Sequence, residues 1–204
     1  DKTSSAKAEK GLEELGVEIM SGCMALDYAN GQLLLKDHAS IASETVIWVS
    51  GIKANTIEGI PATSIGRGGR IMVDRFNRVK GMTDVYAIGD QCLIEGDAAY
   101  PHGHPQLAQV AIQQAANVAY NLEQQQEGKP MRPFNYNNLG VMATIGRKKA
   151  VVEIGKLKFG GFFAWLLWLV VHLRSILGVR NKTIVLLNWM WSYLNYKQSL
   201  RLIF

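Results

Sequence analysis

Val85-Tyr86-Ala87-Ile88-Gly89-Asp90 is followed, after a loop bearing Gly and Pro, by Pro105-Gln106-Leu107-Ala108-Gln109-Val110-Ala111-Ile112-Gln113. How this stretch is read decides the fold. It predicts a strand over 85–88 that stops at Gly89-Asp90. A helix should then open at Pro105, a residue suited to a first turn, and run to about Gln125 before Gly128 and Pro130 end it. Upstream, residues 3–15 read as a helix with Ala6, Ala8, Gly11, Leu12 and Leu15 on one face and Gly16 as its stop, and Val17-Glu18-Ile19-Met20 reads as a strand. Helix, Gly, strand is the pattern of α/β units. Ala29-Asn30-Gly31-Gln32 marks a hairpin. Thr45-Val46-Ile47-Trp48-Val49 is an uninterrupted β-rich run, expected to be covered on both faces. Arg70 to Asp74 reads as a strand, and Val141 to Ile154 as a hairpin around Gly146-Arg147-Lys148-Lys149.

The 204 residues allow one large domain or two small ones, and 48% hydrophobic against 19% charged excludes a disordered chain. The net charge of +5 hides an asymmetry. From Ile154 to Phe204 there are seven basic residues (Lys156, Lys158, Arg174, Arg180, Lys182, Lys197, Arg201) and no acidic ones. The same segment holds Trp165, Trp168, Trp189 and Trp191. A nucleic-acid binder would spread its positive charge over a polar face. Here it borders apolar runs, which points to a membrane surface, and to an anionic one. Phe159 to Val171 carries no charge, but such a helix is roughly 20 Å long against a hydrocarbon core of ~30 Å. With Ile184 to Leu194 it predicts two amphipathic helices lying in one leaflet; a subunit interface is the bland alternative. Cys23 and Cys92 are too few for a disulfide scaffold and read as reduced thiols. No stretch of the sequence reads as a secretory signal peptide, and none is expected.

The expected helix from Pro105 places Leu107, Ala111, Ala115, Val118 and Leu122 on an apolar stripe within roughly 80°, with Gln106, Gln109 and Gln113 opposite. A solvated polar face would explain the glutamines. Their neutral donors and acceptors also suit an uncharged polar ligand, and the helix N-terminus suits one that gains negative charge. Asp90, at the end of its strand, could accept hydrogen bonds from ribitol or ribose hydroxyls, with Gly89 allowing close backbone approach; capping a turn is the plainer role. Gly66-Arg67-Gly68-Gly69 lacks the preceding strand and following helix of a phosphate cradle and reads as a turn. His102 and His104 read as loop residues. No metal set and no hydrolytic nucleophile stands out, and no catalytic side chain is assigned.

Taken together the segments resemble type II NADH dehydrogenases, single-subunit membrane-surface NADH:quinone oxidoreductases that do not pump protons, within the pyridine nucleotide-disulfide oxidoreductase-like flavoproteins. The motifs are Thr45 to Ile52, Val85 to Asp90, Ala108-Gln109-Val110-Ala111-Ile112-Gln113, Gly140 to Arg147, and the tail from Trp165-Leu166-Leu167-Trp168 onward. The resemblance implies an α/β fold, part of a Rossmann-like flavoprotein with two dinucleotide-binding domains, followed by amphipathic helices. Residues 1–50 would end an NADH-binding domain. Residues 51–130 would return to an FAD-binding domain with the quinone-site helix, and 131–204 would be a hairpin and membrane anchor. It implies FAD and NAD as cofactors, with Gly89, Asp90, Ala108 and Gln109 at the flavin. Gln109, Gln113 and Met142 would line a quinone pocket. It further implies a monotopic respiratory enzyme on the cytoplasmic side of the inner membrane, using NADH, membrane quinone and an anionic lipid surface, with a homodimer open. Two features depart from the pattern. Leu139 stands where many members carry Lys, and no Gly-x-Gly-x-x-Gly is present, so both fingerprints are expected upstream of Asp1 and the chain reads as a fragment. The rivals are a sulfide:quinone oxidoreductase-like flavoprotein using Cys92, and a non-catalytic membrane-associated subunit with a decayed nucleotide site.

Overall fold

A computed structural model describes residues 2–55 and 57–195. In chain order the elements are α1 (Lys2–Glu13), β1 (Ala25–Ala29), β2 (Gln32–Leu35), β3 (Ile41–Ala42), β4 (Ile71–Val73), β5 (Cys92–Ile94), α2 (Ala108–Gln126), β6 (Val141–Ile145), β7 (Lys149–Ile154), β8 (Leu157–Gly161), α3 (Phe162–Ser175) and α4 (Val179–Asn195). They form two units: Asp1–Val46 with Leu139–Phe204, and Ile47–Asn138. The mixed α/β class and the two C-terminal helices agree with the sequence. Lys197 and Arg201 of the expected anchor lie outside the described residues.

In the unit formed by the two chain ends, α1 closes with a Schellman motif: Gly16 N–H donates to Glu13 O and Val17 N–H to Leu12 O. The β1–β2 hairpin turns on Asn30 and Gly31, both at positive φ, with Ala29 facing Gln32. This is the two-residue turn the sequence predicts. The second hairpin also holds, with Ile145 facing Lys149 across Gly146–Lys148. The structure adds β8 to it, an antiparallel third strand not foreseen, in which Val152 faces Phe159. Ala164 of α3 is fully buried on Ala150 and Val152, and Met142, Phe159, Trp165 and Leu167 close that core. The outer faces are apolar: Phe163, Leu166 and Val170 on α3, and Ile184, Leu187, Trp191 and Leu194 on α4, are all exposed. Spacings of three and four residues put each set on one helix face.

The middle unit packs Ile71, Val73, Val79, Cys92, Ile94, Val110 and Phe134 into one core. Its two-stranded sheet is parallel, Ile71 facing Cys92 and Val73 facing Ile94. The expected strand around Ile71 is present, and Gly66–Gly69 forms the turn before it.

Several expectations are corrected. Residues 17–20 and 45–49 form no strand, and Val49 is 85% exposed. A β-rich run becomes a strand only when a neighbour accepts its backbone ladder, and no described residue does so here. Residues 85–88 are not a strand either. Their backbone is tied back to the preceding loop, Ala87 N–H to Asn77 O and Val79 N–H to Val85 O, leaving a single bridge between Arg78 and Tyr86. Gly89-Asp90 therefore precedes a strand, β5, instead of ending one. Helix α2 starts at Ala108, because Leu107 is extended (φ −131°) and its N–H turns back to Pro105 O.

The face of α2 is also corrected. Its buried residues are Val110, Gln114, Asn117 and Asn121, while Ala115 and Leu122 are exposed. The amides face inward because irregular backbone there needs partners. Asn121 Nδ2 donates to Arg132 O at 2.9 Å, its Oδ1 accepts from Arg132 N–H at 2.9 Å, and Asn117 Oδ1 accepts from Arg132 Nε at 3.0 Å. An apolar stripe could satisfy none of these groups.

Candidate functional site

Gly89, Asp90 and Gln91 form one 3₁₀ turn, and the fold sets it against the first turns of α2. The approach is close. Gly89 has φ 65°, and a Cβ built on it would lie 3.1 Å from Ala111 Cβ, so both conformation and space require glycine. Two glutamines fasten the turn. Gln114 is fully buried, and its Oε1 accepts from Gly89 N–H at 2.6 Å and from the Cys92 thiol at 3.3 Å. Gln106 Nε2 donates to Asp90 O at 3.2 Å. The Asp90 carbonyl is thus committed, whereas its exposed carboxylate hydrogen-bonds to none of the described residues. Ala108 and Gln109 begin α2, at the positive end of the helix, and Leu107 before them has no side chain able to cap. The structure therefore gathers Gly89, Asp90, Ala108 and Gln109 in one place.

Gln113 lies one turn further along α2. Its amide forms a reciprocal pair with Asn137, Nε2 donating to Asn137 O and Oε1 accepting from Asn137 N–H, both at 2.9 Å. Met142 lies on β6, opposite Val152 of β7, and is part of the other unit's core.

Sequence reasoning missed the group behind the turn. His104 is 1% exposed, its ring against Tyr100, Phe134 and Tyr136, with centroids 4.5, 5.3 and 5.8 Å away. Its Nε2 is 3.2 Å from Asp97 Oδ2, although the angle does not make a hydrogen bond. Burial pushes the His104 pKa down, and the Asp97 carboxylate opposes this only in part. Arg70 is buried beside it and donates to His104 O at 3.2 Å. Burial also lowers the guanidinium's pKa, against the pull of Cys92 and Asp90. The sequence held a faint signal, since His104 directly precedes the Pro at the entry to α2. Gln114 had one too, as the neighbour of Gln113 it points 100° away, toward the core.

The thiols give a sulfide-oxidising rival little. Cys92 is fully buried, burial pushes its thiol pKa up, and Cys23 belongs to the other unit.

Comparison with known proteins gives a consistent answer. Residues 1–115 match the pyridine nucleotide-disulphide oxidoreductase family, and residues 138–196 match the NDH2 C-terminal domain. A type II NADH:quinone oxidoreductase of Mycobacterium tuberculosis is 35% identical over 201 residues, which cover 92% of this chain and 41% of that protein. A mitochondrial internal alternative NAD(P)H-ubiquinone oxidoreductase of Arabidopsis thaliana is 30% identical over 203 residues, covering 91% and 39%. The structure of NDH2 from Plasmodium falciparum in complex with NADH superposes with a TM-score of 0.81 over 98% of this chain and 56% of that one. At 15% identity that likeness is one of fold. The chain spans about two-fifths of the length of the curated relatives it matches.

Proposed function

The chain belongs to the pyridine nucleotide-disulphide oxidoreductase family and carries an NDH2 C-terminal domain, and from that premise we propose that it serves a type II NADH:quinone oxidoreductase. The observation that carries this reading is the Gly89–Asp90 turn pressed onto the start of α2.

The residues present fit FAD. A carboxylate is an acceptor only, so Asp90 matches ribitol or ribose hydroxyls and not a phosphate. Gly89 lets the turn lie close to Ala111 of α2, which brings Asp90 to the start of that helix. When bound, FAD would supply the hydride acceptance and two-electron transfer that no side chain can provide. Asp90 orients the cofactor's polyol. Ala108 and Gln109 present the positive end of α2 where negative charge would develop. Gln109 offers an uncharged amide to a quinone carbonyl, and Gln113 holds Asn137 and with it the loop beside the helix. Gln113 and Met142 complete the proposed quinone-contacting set. Residues 1–50 are assigned to an NADH-binding domain, 51–130 to the FAD-binding domain and 131–204 to the anchor.

The exposed apolar faces of α3 and α4 support attachment to one leaflet, because water would solvate neither well. No helix among the described residues is long and apolar enough to cross a membrane. Anionic lipid, the cytoplasmic side of the inner membrane and a homodimer belong to the same proposal. Stopped-flow kinetics on the full-length protein test it. Gln109→Ala should slow quinone reduction more than NADH-to-flavin transfer; equal slowing of both half-reactions refutes the pocket.

A further inference from the structure

The β6–β7 turn and helices α3 and α4 line an open pocket of about 220 Å³. The flavin reading does not use it. Its walls are aromatic: Trp165 stacks on Tyr193 with centroids 5.5 Å apart, and Trp168 lies 5.8 Å from Trp189. Its rim is cationic. Arg147 lines the cavity and donates to Ser192 O of α4. Lys148 places its ammonium over the Tyr193 ring, 5.4 Å from the centroid. The neighbouring Lys149, at the start of β7, pairs with Glu14. No described carboxylate pairs with Lys148, and no acidic residue occurs anywhere in α3 or α4.

We propose that this cavity is a discrete site for the headgroup of an anionic phospholipid. Cations select a phosphodiester. Indole and phenol rings, apolar in body and polar at the tip, suit the glycerol region at a membrane interface. The volume takes a headgroup and no more, so the acyl chains run out along the exposed apolar faces of α3 and α4. A neutral quinone ring would find aromatic walls here but no use for the two cations. A zwitterionic lipid would bring its own ammonium against them. The site rests on the leaflet-attachment reading, yet it differs from a diffuse basic surface because its charge is fixed at one turn. Lys148 reaches the lining through the Tyr193 ring, whereas Arg180 and Lys182 sit in the first turns of α4, well before the lining Trp189, and supply positive charge away from it.

Short-chain lipids below their micellar concentration test the site without a bilayer. Tryptophan fluorescence of the protein is titrated with dihexanoylphosphatidylglycerol, dihexanoylphosphatidylcholine and inorganic phosphate. The expected result is a saturable blue shift with the glycerol lipid and at least fivefold weaker binding of the choline lipid and of phosphate. Lys148→Gln should weaken the glycerol lipid about fivefold, the contribution of one lysine near an anionic headgroup, whereas Arg180→Gln should change it less than twofold. Equal losses from the two variants would reduce the effect to bulk charge and overturn the site. So would equal affinity for the choline lipid, for a short-chain quinone, or for phosphate alone. Flotation with phosphatidylglycerol vesicles separates this from leaflet attachment. Flotation without saturable short-chain binding removes the site and leaves attachment; saturable binding without flotation does the reverse.

Discussion

Helix α2 and the pair α3 and α4 break the rule of apolar inside and polar outside in opposite directions. The middle unit buries Gln114, Asn117 and Asn121 on α2 and leaves Leu122 half in water. The end unit leaves Phe163, Leu187 and Trp191 outside. The first departure is settled within the chain, because each buried amide meets a backbone group. The second is not settled among the described residues, and the proposed answer is an apolar medium. The contrast shows which inverted face is structural and which is a surface meant for something else.

Breaking the outer face should give the largest effect. Phe163→Glu combined with Leu187→Glu touches only exposed positions, so the melting temperature should stay within a few degrees. Burial of two such side chains in lipid is worth roughly 3 kcal/mol, so vesicle binding should fall about a hundredfold. Unchanged flotation would mean that these faces meet protein instead of lipid.

The inner face answers to a different change. Gln114→Leu removes the acceptor of the Gly89 N–H and leaves a buried donor without a partner, a loss of about 2 kcal/mol read from the urea midpoint. Gln113→Leu next to it, at an exposed hydrogen-bond pair, should cost less than half as much. Equal costs would deny that burial is what makes the Gln114 clamp matter.

A smaller effect belongs to His104. Its folded pKa lies below its ordinary value of 6.5, chiefly through burial. The unfolded chain therefore binds the proton first as pH falls. Stability contributed by the neutral ring is fully present above about pH 6.5 and is lost as pH drops from there through the folded pKa. Urea midpoints measured from pH 8 to 5 should decline below that point, and His104→Phe should flatten the decline. An identical slope in the variant would place the titration elsewhere.

These contrasts explain what the sequence could disclose. Both hairpins were legible because their turns are local, Asn30-Gly31 in one and a Gly-bearing three-residue loop in the other. The two apolar helices were legible because their runs are long. Residues 45–49 and 85–88 misled because strand propensity describes a chain that has neighbours, and pairing is not written in the run itself. Asp90 and Gln109 were found through short motifs. Gln114 and His104 were not, since their importance lies in the Gly89 N–H and the aromatic ring cluster, both made by residues distant in the chain. Polar residues in a helix advertise a wet face, and only the fold reveals a backbone needing them.

The smallest prediction bears on that last point most directly. A stripe of Leu107, Ala111, Ala115, Val118 and Leu122 is what helical periodicity would bury. If periodicity ruled, Leu122→Gln would cost a core leucine, 2 kcal/mol or more on the usual scale. The fold leaves Leu122 41% exposed, so the change should alter the urea midpoint by no more than about 0.5 kcal/mol equivalent. Asn121→Leu, one residue earlier, makes the chain more apolar and should nevertheless destabilise it, because the Arg132 N–H loses its acceptor and the Arg132 carbonyl keeps only the longer bond from Asn117 Nδ2 at 3.4 Å. A helix in which leucine can be made polar cheaply, and asparagine cannot be made apolar, is oriented by hydrogen bonds owed to its loops. The reverse ranking would return α2 to ordinary amphipathic packing and loosen the turn that carries Asp90.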